Sequence, residues 1–141
     1  MAFPTKILLS TEGSTDAAIA TKAAIDLCNL SGAELHVIYV GPSSVRLSPK
    51  EYEAAAREKI GELAKAVEYA GGTVTETHLR IDDSQTPGNE AEHITGVAEE
   101  IGADLIVVGS RGLGGLKRAL MGSVSESVVR HAHCPVLVMR H

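Results

Sequence analysis

Short apolar segments alternate with helical segments along the whole of this 141-residue chain. Runs with the apolar or alternating pattern of a strand cover residues 5–10, 34–40, 73–81, 103–108 and 136–139. Segments with helical periodicity lie between them, from Ser14 to about Leu30, from Pro49 to about Ala70, from Asn89 to Ile101 and from Ser123 to Ala132. Strands that alternate with helices pair in parallel through right-handed crossovers, so the chain is predicted to have an α/β fold.

Local signals indicate how the helices begin and which faces they bury. Ser48 and Glu51 form a capping box with Pro49 at the first helical position. Asn89, with Glu92 three residues later, is predicted to cap the third helix. Each helix has one apolar face that can pack on a sheet. In the first helix this predicted face comprises Ile19, Ala23, Leu27 and Leu30.

The polarity of the strands predicts their order in the sheet. Strands 1, 2 and 4 are almost continuously apolar, as expected for the interior of a parallel sheet, whereas strand 3 is the most polar and belongs at an edge. The order 3-2-1-4-5 meets both conditions. It describes a doubly wound five-stranded parallel sheet with helices on both faces, forming a single domain over residues 1–141. Ligands bind such sheets beyond the carboxyl ends of the strands, here at the switch point between strands 1 and 4.

The composition excludes several kinds of partner. The formal net charge is −5 and aromatic residues make up 3% of the chain, so neither a basic nucleic-acid face nor a base-stacking surface is expected. No signal peptide is evident, and no apolar run approaches the ~20 residues of a membrane span. The two cysteines, Cys28 and Cys134, lack CxxC spacing and are interpreted as buried thiols of a cytoplasmic protein.

A glycine-rich segment at residues 109–125, GSRGLGGLKRALMGSVS, directly follows the apolar fourth strand. Its spacing is G-x2-G-x9-G-S, and it contains three cations and no acid within an acidic chain. Glycines let main-chain N–H groups approach a ligand closely, and N–H groups at the start of a helix favour an anion. The segment is therefore predicted to bind phosphate through N–H groups around Gly112, Gly122 and Ser123, with the hydroxyls of Ser123 and Ser125 as further donors.

The two most familiar phosphate-binding motifs are absent from the sequence. Lys117 lies between Leu116 and Arg118, which excludes G-x4-G-K-[ST], and it also replaces the third glycine of G-x-G-x-x-G. An alternative interpretation is a glycine-rich loop whose Ser123 only caps the last helix. In that case Arg111, Lys117 and Arg118 form a solvated cationic face.

The chain resembles the universal stress protein family, and in particular its ATP-binding branch. The resemblance covers essentially the whole chain. It implies the doubly wound fold of adenine nucleotide alpha hydrolase-like proteins, with the nucleotide at the carboxyl ends of the strands. The segments that carry it are ILLSTEGS (7–14), HVIYV (36–40), ADLIVVGSRG (103–112), the G-x2-G-x9-G-S pattern and HCPVLVMR (133–140).

The resemblance also implies which residues contact the nucleotide. Glu12, with Ser10 and Thr11 beside it, takes the acidic position near the ribose or adenine. Val40, at the end of the second strand, lines the adenine. The phosphate contacts fall on Gly109, Arg111, Gly112, Gly122, Ser123, Val124 and Ser125.

Two departures from the family pattern affect this site. The acidic position is usually Asp, and Glu12 is one methylene longer, so its reach to a ribose hydroxyl differs. The polar stretch DDSQTPGN (82–89) replaces the shorter turn that relatives commonly have, and it lies where it could cover the base. Asp82 and Asp83 suggest a role in binding Mg2+; the alternative is a solvated turn.

The function implied is that of an ATP-binding stress-response module that acts by switching state. No general base is evident beside the phosphates, so ATP hydrolysis or self-phosphorylation at Ser123 or Ser125 is expected to be slow at most. The alternative is a nucleotide-free dimeric scaffold of the same fold. A third hypothesis is an adenylyl-transfer enzyme, but the chain has no obvious room for a second substrate domain. The residues leave open whether the ligand is ATP, AMP or a cyclic nucleotide.

The last strand predicts a homodimer. Residues 135–140 include an edge strand that is almost wholly apolar, and an uncovered strand of this kind promotes aggregation. Antiparallel pairing with the same strand of a second copy, about a two-fold axis, would cover it.

The histidines are not expected to form a metal centre. His131, His133 and Cys134 lack the spaced second pair of ligands found in structural zinc sites. His36 and His78 lie in predicted strands and are interpreted as packed or edge residues. No Ser/His/Asp catalytic trio can be assembled.

Overall fold

The strands and helices follow the predicted alternation in the computed structural model, which describes residues 3–11, 15–82, 89–110 and 122–140. The strands are β1 Lys6–Ser10, β2 Glu34–Pro42, β3 Val74–Asp82, β4 Leu105–Gly109 and β5 Val136–Met139. The helices are α1 Thr15–Ser31, α2 Pro49–Tyr69, α3 Glu90–Ile101 and α4 Ser123–His131. The strands form one parallel sheet in the order β3-β2-β1-β4-β5, which confirms the predicted topology.

Helices cover both faces of the sheet. Ile7 and Leu9 of β1 face a core shared with α1 and α2. Leu8, between them, faces a second core around Ile94 of α3 and Val128 of α4. All five side chains are fully buried. This burial on both faces explains why β1 is continuously apolar rather than alternating.

The helix starts agree with the predictions in one case and differ in another. The Ser48 hydroxyl accepts the N–H of Glu51 at 3.2 Å, and the Glu51 carboxylate accepts the N–H of Ser48 at 3.0 Å, so the predicted capping box is confirmed. The predicted Asn89 cap is wrong: Asn89 occupies the N-cap position of α3 but makes no side-chain cap hydrogen bond. Its helical angles, φ −76° and ψ −8°, differ from the extended conformation typical of a capping residue. Ser14 lies outside the described residues.

The buried face of α1 agrees with the predicted one only in part: Leu27 packs against the core as predicted, but the most buried side chains are others. Ala17, Ala20 and Ala24 are buried, whereas Leu30 is 85% exposed, so the placement of Leu30 on the packed face is wrong. The three alanines recur at helical spacing and form the line along which α1 lies on the sheet. Small side chains set this orientation because they allow the closest approach to the strands.

β4 begins at Leu105, two residues later than predicted. The residue before it, Asp104, is hydrogen-bonded to the start of β1 instead of continuing the strand. The Asp104 carboxylate accepts the N–H of Thr5 at 2.9 Å and that of Lys6 at 2.9 Å. It also accepts the Thr5 hydroxyl at 3.0 Å. These bonds align the first residues of the two central strands.

The two cysteines lie on opposite sides of the sheet. Cys28 packs against the core on the α1 side and Cys134 against the core on the α3 side, and both are half-buried rather than fully buried. Burial raises the pKa of the Cys28 thiol to about 11 and also raises the pKa of Cys134. Neither thiol is therefore activated for nucleophilic chemistry.

The described helices include none with both the length and the apolar character needed to cross a membrane.

Candidate functional site

At the carboxyl edge of the sheet β1 ends before both of its neighbours, and the position just beyond its last residue, between the longer ends of β2 and β4, is called the recess below. The pairing of β1 with β2 ends at Ser10–Ile38, and its pairing with β4 ends at Leu9–Val107. β2 continues for four residues past Ile38, and β4 continues for two past Val107. This is the switch point of the sheet, where ligands of doubly wound folds bind.

Three of the predicted site residues border this recess. Ser10 ends β1 and is half-buried, and Thr11 follows it and is buried. Val40 lies on β2 two residues past the partner of Ser10. The Val40 side chain packs into the core on the α3 side, so a ligand in the recess would meet its main chain.

The start of α4 is fastened to the end of β4 by two short hydrogen bonds. The N–H of Gly122 donates to the carbonyl of Ser110 at 2.6 Å. The hydroxyl of Ser125, which is buried, donates to the carbonyl of Gly109 at 2.5 Å. Two donors predicted to contact phosphate therefore have protein partners, and they place the helix start at the end of the sheet.

The first turn of α4 presents main-chain donors. Its first intrahelical hydrogen bond runs from the N–H of Glu126 to the carbonyl of Gly122, at 2.9 Å. The N–H groups of Ser123, Val124 and Ser125 precede this bond, so they have no partner within the helix. Such a helix end favours an anion by about 0.3–1 kcal/mol at an exposed site. Ser123 is exposed and its side chain is accessible from solvent.

Asp16 and Ser110, which were not among the predicted site residues, hold α1 against the same strand end. The Ser110 hydroxyl donates to the Asp16 carboxylate at 2.6 Å, and both residues are buried. Both lie in segments identified from the sequence: Ser110 is within the glycine segment, and Asp16 is in the first turn of the predicted first helix, which starts at Ser14. That these two positions, 94 residues apart, would meet was not evident from either segment.

Gly109 allows this close contact between α1 and β4. A Cβ atom at this position would lie 2.9 Å from the carbonyl carbon of Asp16 and 3.0 Å from the nitrogen of Ala17. Backbone atoms cannot move aside as a flexible side chain can, so only glycine fits without a shift of the helix.

The structure therefore places eight of the eleven predicted contact residues around one end of the sheet. These are Ser10, Thr11, Val40, Gly109, Gly122, Ser123, Val124 and Ser125. Glu12, Arg111 and Gly112 lie outside the described residues, as does Asp83. Because α1 and α4 both begin at this end, two helix N-termini adjoin the recess, and their dipoles favour a negatively charged ligand.

Comparisons with known proteins agree with the fold and cover nearly the whole chain. The model of the universal stress protein family matches residues 4–140. Universal stress protein MJ0531 of Methanocaldococcus jannaschii is 38% identical over 141 residues, covering 96% of this chain and 81% of that protein. Universal stress protein YxiE of Bacillus subtilis is 34% identical over 145 residues, covering 96% and 98%.

Solved structures share the architecture of this chain. The structure of hypothetical protein MJ0577 matches with a TM-score of 0.72 at 30% identity, covering 99% of this chain and 98% of that chain. The structure of a universal stress protein matches with a TM-score of 0.69 at 25% identity, covering 96% of each chain. Since the family model spans residues 4–140 and relatives exceed 30% identity over most of their length, the chain belongs to the universal stress protein family.

Proposed function

We propose that this protein binds ATP, together with Mg2+, in the recess at the end of β1 and acts as a nucleotide-dependent regulatory module in the stress response. The observation that supports this best is the position of the first turn of α4. Its N–H groups, from Ser123 to Ser125, adjoin the end of β4 and so lie beside the switch point.

In this proposal the two sides of the recess bind different parts of the nucleotide. Adenine and ribose lie toward β2, near Ser10, Thr11, Glu12 and Val40. The phosphates lie toward β4, at the glycine segment and the start of α4. Arg111 and the N–H groups at Gly109 and Gly112 complete the phosphate contacts.

Ligands of related structures support an adenine nucleotide. The universal stress protein with 25% identity was determined in complex with cAMP. Proteins of the same fold were determined with dAMP, from Archaeoglobus fulgidus, and with AMP, from Arabidopsis thaliana. These two are 22% identical to this chain, and at that identity the comparison shows a common fold. All three ligands have an adenine base and a phosphate group, so ATP, AMP and cAMP should be compared directly.

Slow turnover is expected from the residues at the recess. Asp16 is the buried carboxylate among the described residues there, and it accepts the Ser110 hydroxyl at 2.6 Å. Both residues are buried, so neither this carboxylate nor the hydroxyl bound to it is exposed to water or to a nucleotide. We therefore expect nucleotide binding to act by changing the state of the protein, with hydrolysis or self-phosphorylation slow at most.

One observation favours a second candidate function, a nucleotide-free dimeric scaffold. The Gly122 N–H already bonds to the carbonyl of Ser110, just after β4, and the Ser125 hydroxyl to that of Gly109, the last residue of β4, so they stabilise the fold without any ligand. If the glycine segment had only this structural role, the protein would require no bound nucleotide. In either case we propose that two copies associate through β5 and that the protein acts in the cytoplasm.

A charge introduced at Ser123 tests the nucleotide proposal. Ser123 is exposed at the first position of α4, where an acidic side chain suits the helix dipole and should preserve stability. The Ser123→Asp carboxylate would lie within a few ångströms of the proposed phosphates, where like charges repel by several kcal/mol at an effective dielectric constant of ~20. We expect at least about a tenfold weaker affinity for ATP, measured by calorimetric titration.

The matched control adds the same charge at the opposite end of the sheet. Thr73 is exposed just before β3, so Thr73→Asp should bind ATP like the unmodified protein. Equal ATP affinity of the Ser123→Asp variant and the control would contradict the assignment of the phosphate site. If the unmodified protein binds none of ATP, AMP and cAMP, the scaffold function is supported instead.

A further inference from the structure

Two histidines and a glutamate meet on neighbouring strands, away from the recess. His36 of β2 is paired in register with Glu76 of β3, and His78 lies two residues further along β3. The side chains of His36 and His78 are 5% and 11% exposed, whereas that of Glu76 is 62% exposed. The two histidines are therefore nearly buried, and the glutamate is the member of the group that is exposed to solvent.

The two imidazole rings meet edge to edge. His36 Nδ1 lies 2.9 Å from His78 Nε2, while the ring centroids are 5.1 Å apart and the ring planes differ by 19°. The centroids are thus about 2.2 Å further apart than the nitrogens. This difference is close to twice the distance from the centre of an imidazole ring to one of its nitrogens, so the two nitrogens lie on the line between the ring centres. Two nitrogens therefore face one another in nearly coplanar rings, as in an N–H···N hydrogen bond.

The glutamate completes a triangle of donor atoms that suits a metal ion. Glu76 Oε1 lies 3.4 Å from His78 Nε2 and 3.9 Å from His36 Nδ1. With the 2.9 Å nitrogen separation, the point equidistant from the three atoms lies about 2.0 Å from each. This distance matches zinc–nitrogen and zinc–oxygen bonds, which measure about 2.0–2.2 Å.

Glu34 orients the buried histidine. His36 Nε2 lies 3.0 Å from Glu34 Oε1, and because a carboxylate only accepts, Nε2 carries a hydrogen. In the neutral ring the lone pair is then on Nδ1, the nitrogen that faces His78. A carboxylate that holds the far nitrogen of a histidine in this way is the usual outer support of a metal-bound imidazole.

The sequence predicts packed or edge roles for His36 and His78, but their geometry departs from that expectation: we propose that His36 Nδ1, His78 Nε2 and Glu76 Oε1 bind a divalent transition-metal ion, with Zn2+ the best match to two imidazoles and one carboxylate. The ion would replace the N–H···N hydrogen bond, and both rings would turn toward Glu76 so that their lone pairs point at it. His78, which donates its Nε2 hydrogen to His36 Nδ1 when no ion is bound, would change to the tautomer that carries its hydrogen on Nδ1 and so free the Nε2 lone pair for the ion. Three protein ligands leave a fourth position for water on the exposed side. Mg2+ and Ca2+ prefer oxygen ligands and should bind poorly.

The position of this site indicates what the ion would do. His36 is the third residue of β2 and pairs with Leu8 of β1, so the site lies toward the amino end of the strands, opposite the recess. β3 is an edge strand. An ion bound by His36, His78 and Glu76 would link this edge strand to its neighbour β2, and its binding should stabilise the fold independently of nucleotide.

Titration of the untagged full chain with Zn2+ tests this inference. We expect one Zn2+ per chain, and bound Co2+ should give the visible absorption of a four- or five-coordinate site. Zn2+ should also raise the melting temperature, because it binds the folded state. His78→Gln and Glu76→Gln should each weaken Zn2+ binding at least tenfold. Glu34→Gln should weaken it by about 10–100-fold as an outer support.

His133→Gln is the matched control. His133 is exposed and lies 3.4 Å from Glu99, and within the part of the chain that the structure describes this histidine–carboxylate pair belongs to no three-ligand group. Its variant should bind Zn2+ like the unmodified protein. The inference would be overturned by an unmodified protein without saturable Zn2+ binding, or by His78→Gln and Glu76→Gln variants that retain full affinity. Because Glu76 is exposed, its variant should fold even if His78→Gln does not.

Discussion

Gly109 shows how a single residue decides the distance between two elements. The glycine spacing of the sequence predicts a phosphate contact here, and the structure adds a packing role, since α1 leaves no space for a Cβ atom. A side chain would meet the backbone of Asp16 and Ala17, in the first turn of a helix that the Asp16–Ser110 bond holds in place. A phosphate-binding role and a packing role would therefore both require glycine at position 109.

Replacing Gly109 with alanine should destabilise the protein. Overpacking against a rigid backbone costs about 1–3 kcal/mol in free energy of unfolding, which urea denaturation would measure. Gly96→Ala is the control, because Gly96 lies inside α3 and a Cβ atom there would meet no neighbouring atom within 4 Å. It should stabilise by up to about 1 kcal/mol. Equal unfolding free energies for the two variants would contradict the packing argument.

At the scale of elements, Asp104 joins the segment before β4 to the start of β1. Its carboxylate accepts N–H groups from Thr5 and Lys6. Burial by itself raises the pKa of this carboxyl, but the donors of Lys6 and Thr5 outweigh burial and hold the pKa below its usual value. The strand start predicted at residue 103 was wrong for this reason, since an apolar run does not reveal a bond to a distant chain segment.

Asp104→Asn should lower the free energy of unfolding by about 1–3 kcal/mol near neutral pH, because it weakens charge-assisted hydrogen bonds. The pKa is lower in the folded state, so this stabilisation is complete above the unfolded value of about 3.9. It is lost as pH falls through the folded pKa. Thermal unfolding from pH 7 to pH 3 should therefore show a shrinking difference between the two proteins.

Asp26→Asn is the control for Asp104→Asn, since it removes the same charge from an exposed pair with Lys22 at 3.4 Å. Such pairs contribute little, so its stability should stay within about 0.5 kcal/mol of the unmodified protein. A difference for Asp104→Asn that does not change with pH would argue against the carboxylate as the cause.

At the scale of the whole molecule, we expect two copies of the protein to associate through the edge strand β5. All four of its residues, Val136–Met139, are half-buried. Val136 and Val138 also pack against the core on the α4 side. A charge on this strand would disturb both the core and a neighbouring copy, so folding and association have to be measured separately.

Val138→Lys should convert a dimer to monomer or aggregate in sedimentation velocity, with far-UV circular dichroism reporting whether the fold persists. Val74→Lys is the control on the opposite edge strand, β3, where Val74 is likewise half-buried. It should leave the dimer intact. A folded Val138→Lys variant that remains dimeric, or an unmodified protein that is monomeric, would refute association through β5.

The sequence by itself determined the fold class, the strand order and the segment that carries the candidate site. Periodicity, polarity and glycine spacing are local properties that can be read along the chain. Contacts between distant residues were decided only by the tertiary structure. The Ser110–Asp16 bond and the His36–His78 pair join residues 94 and 42 positions apart. Their meeting depends on strand register and helix placement, because these bring together residues that no local pattern connects.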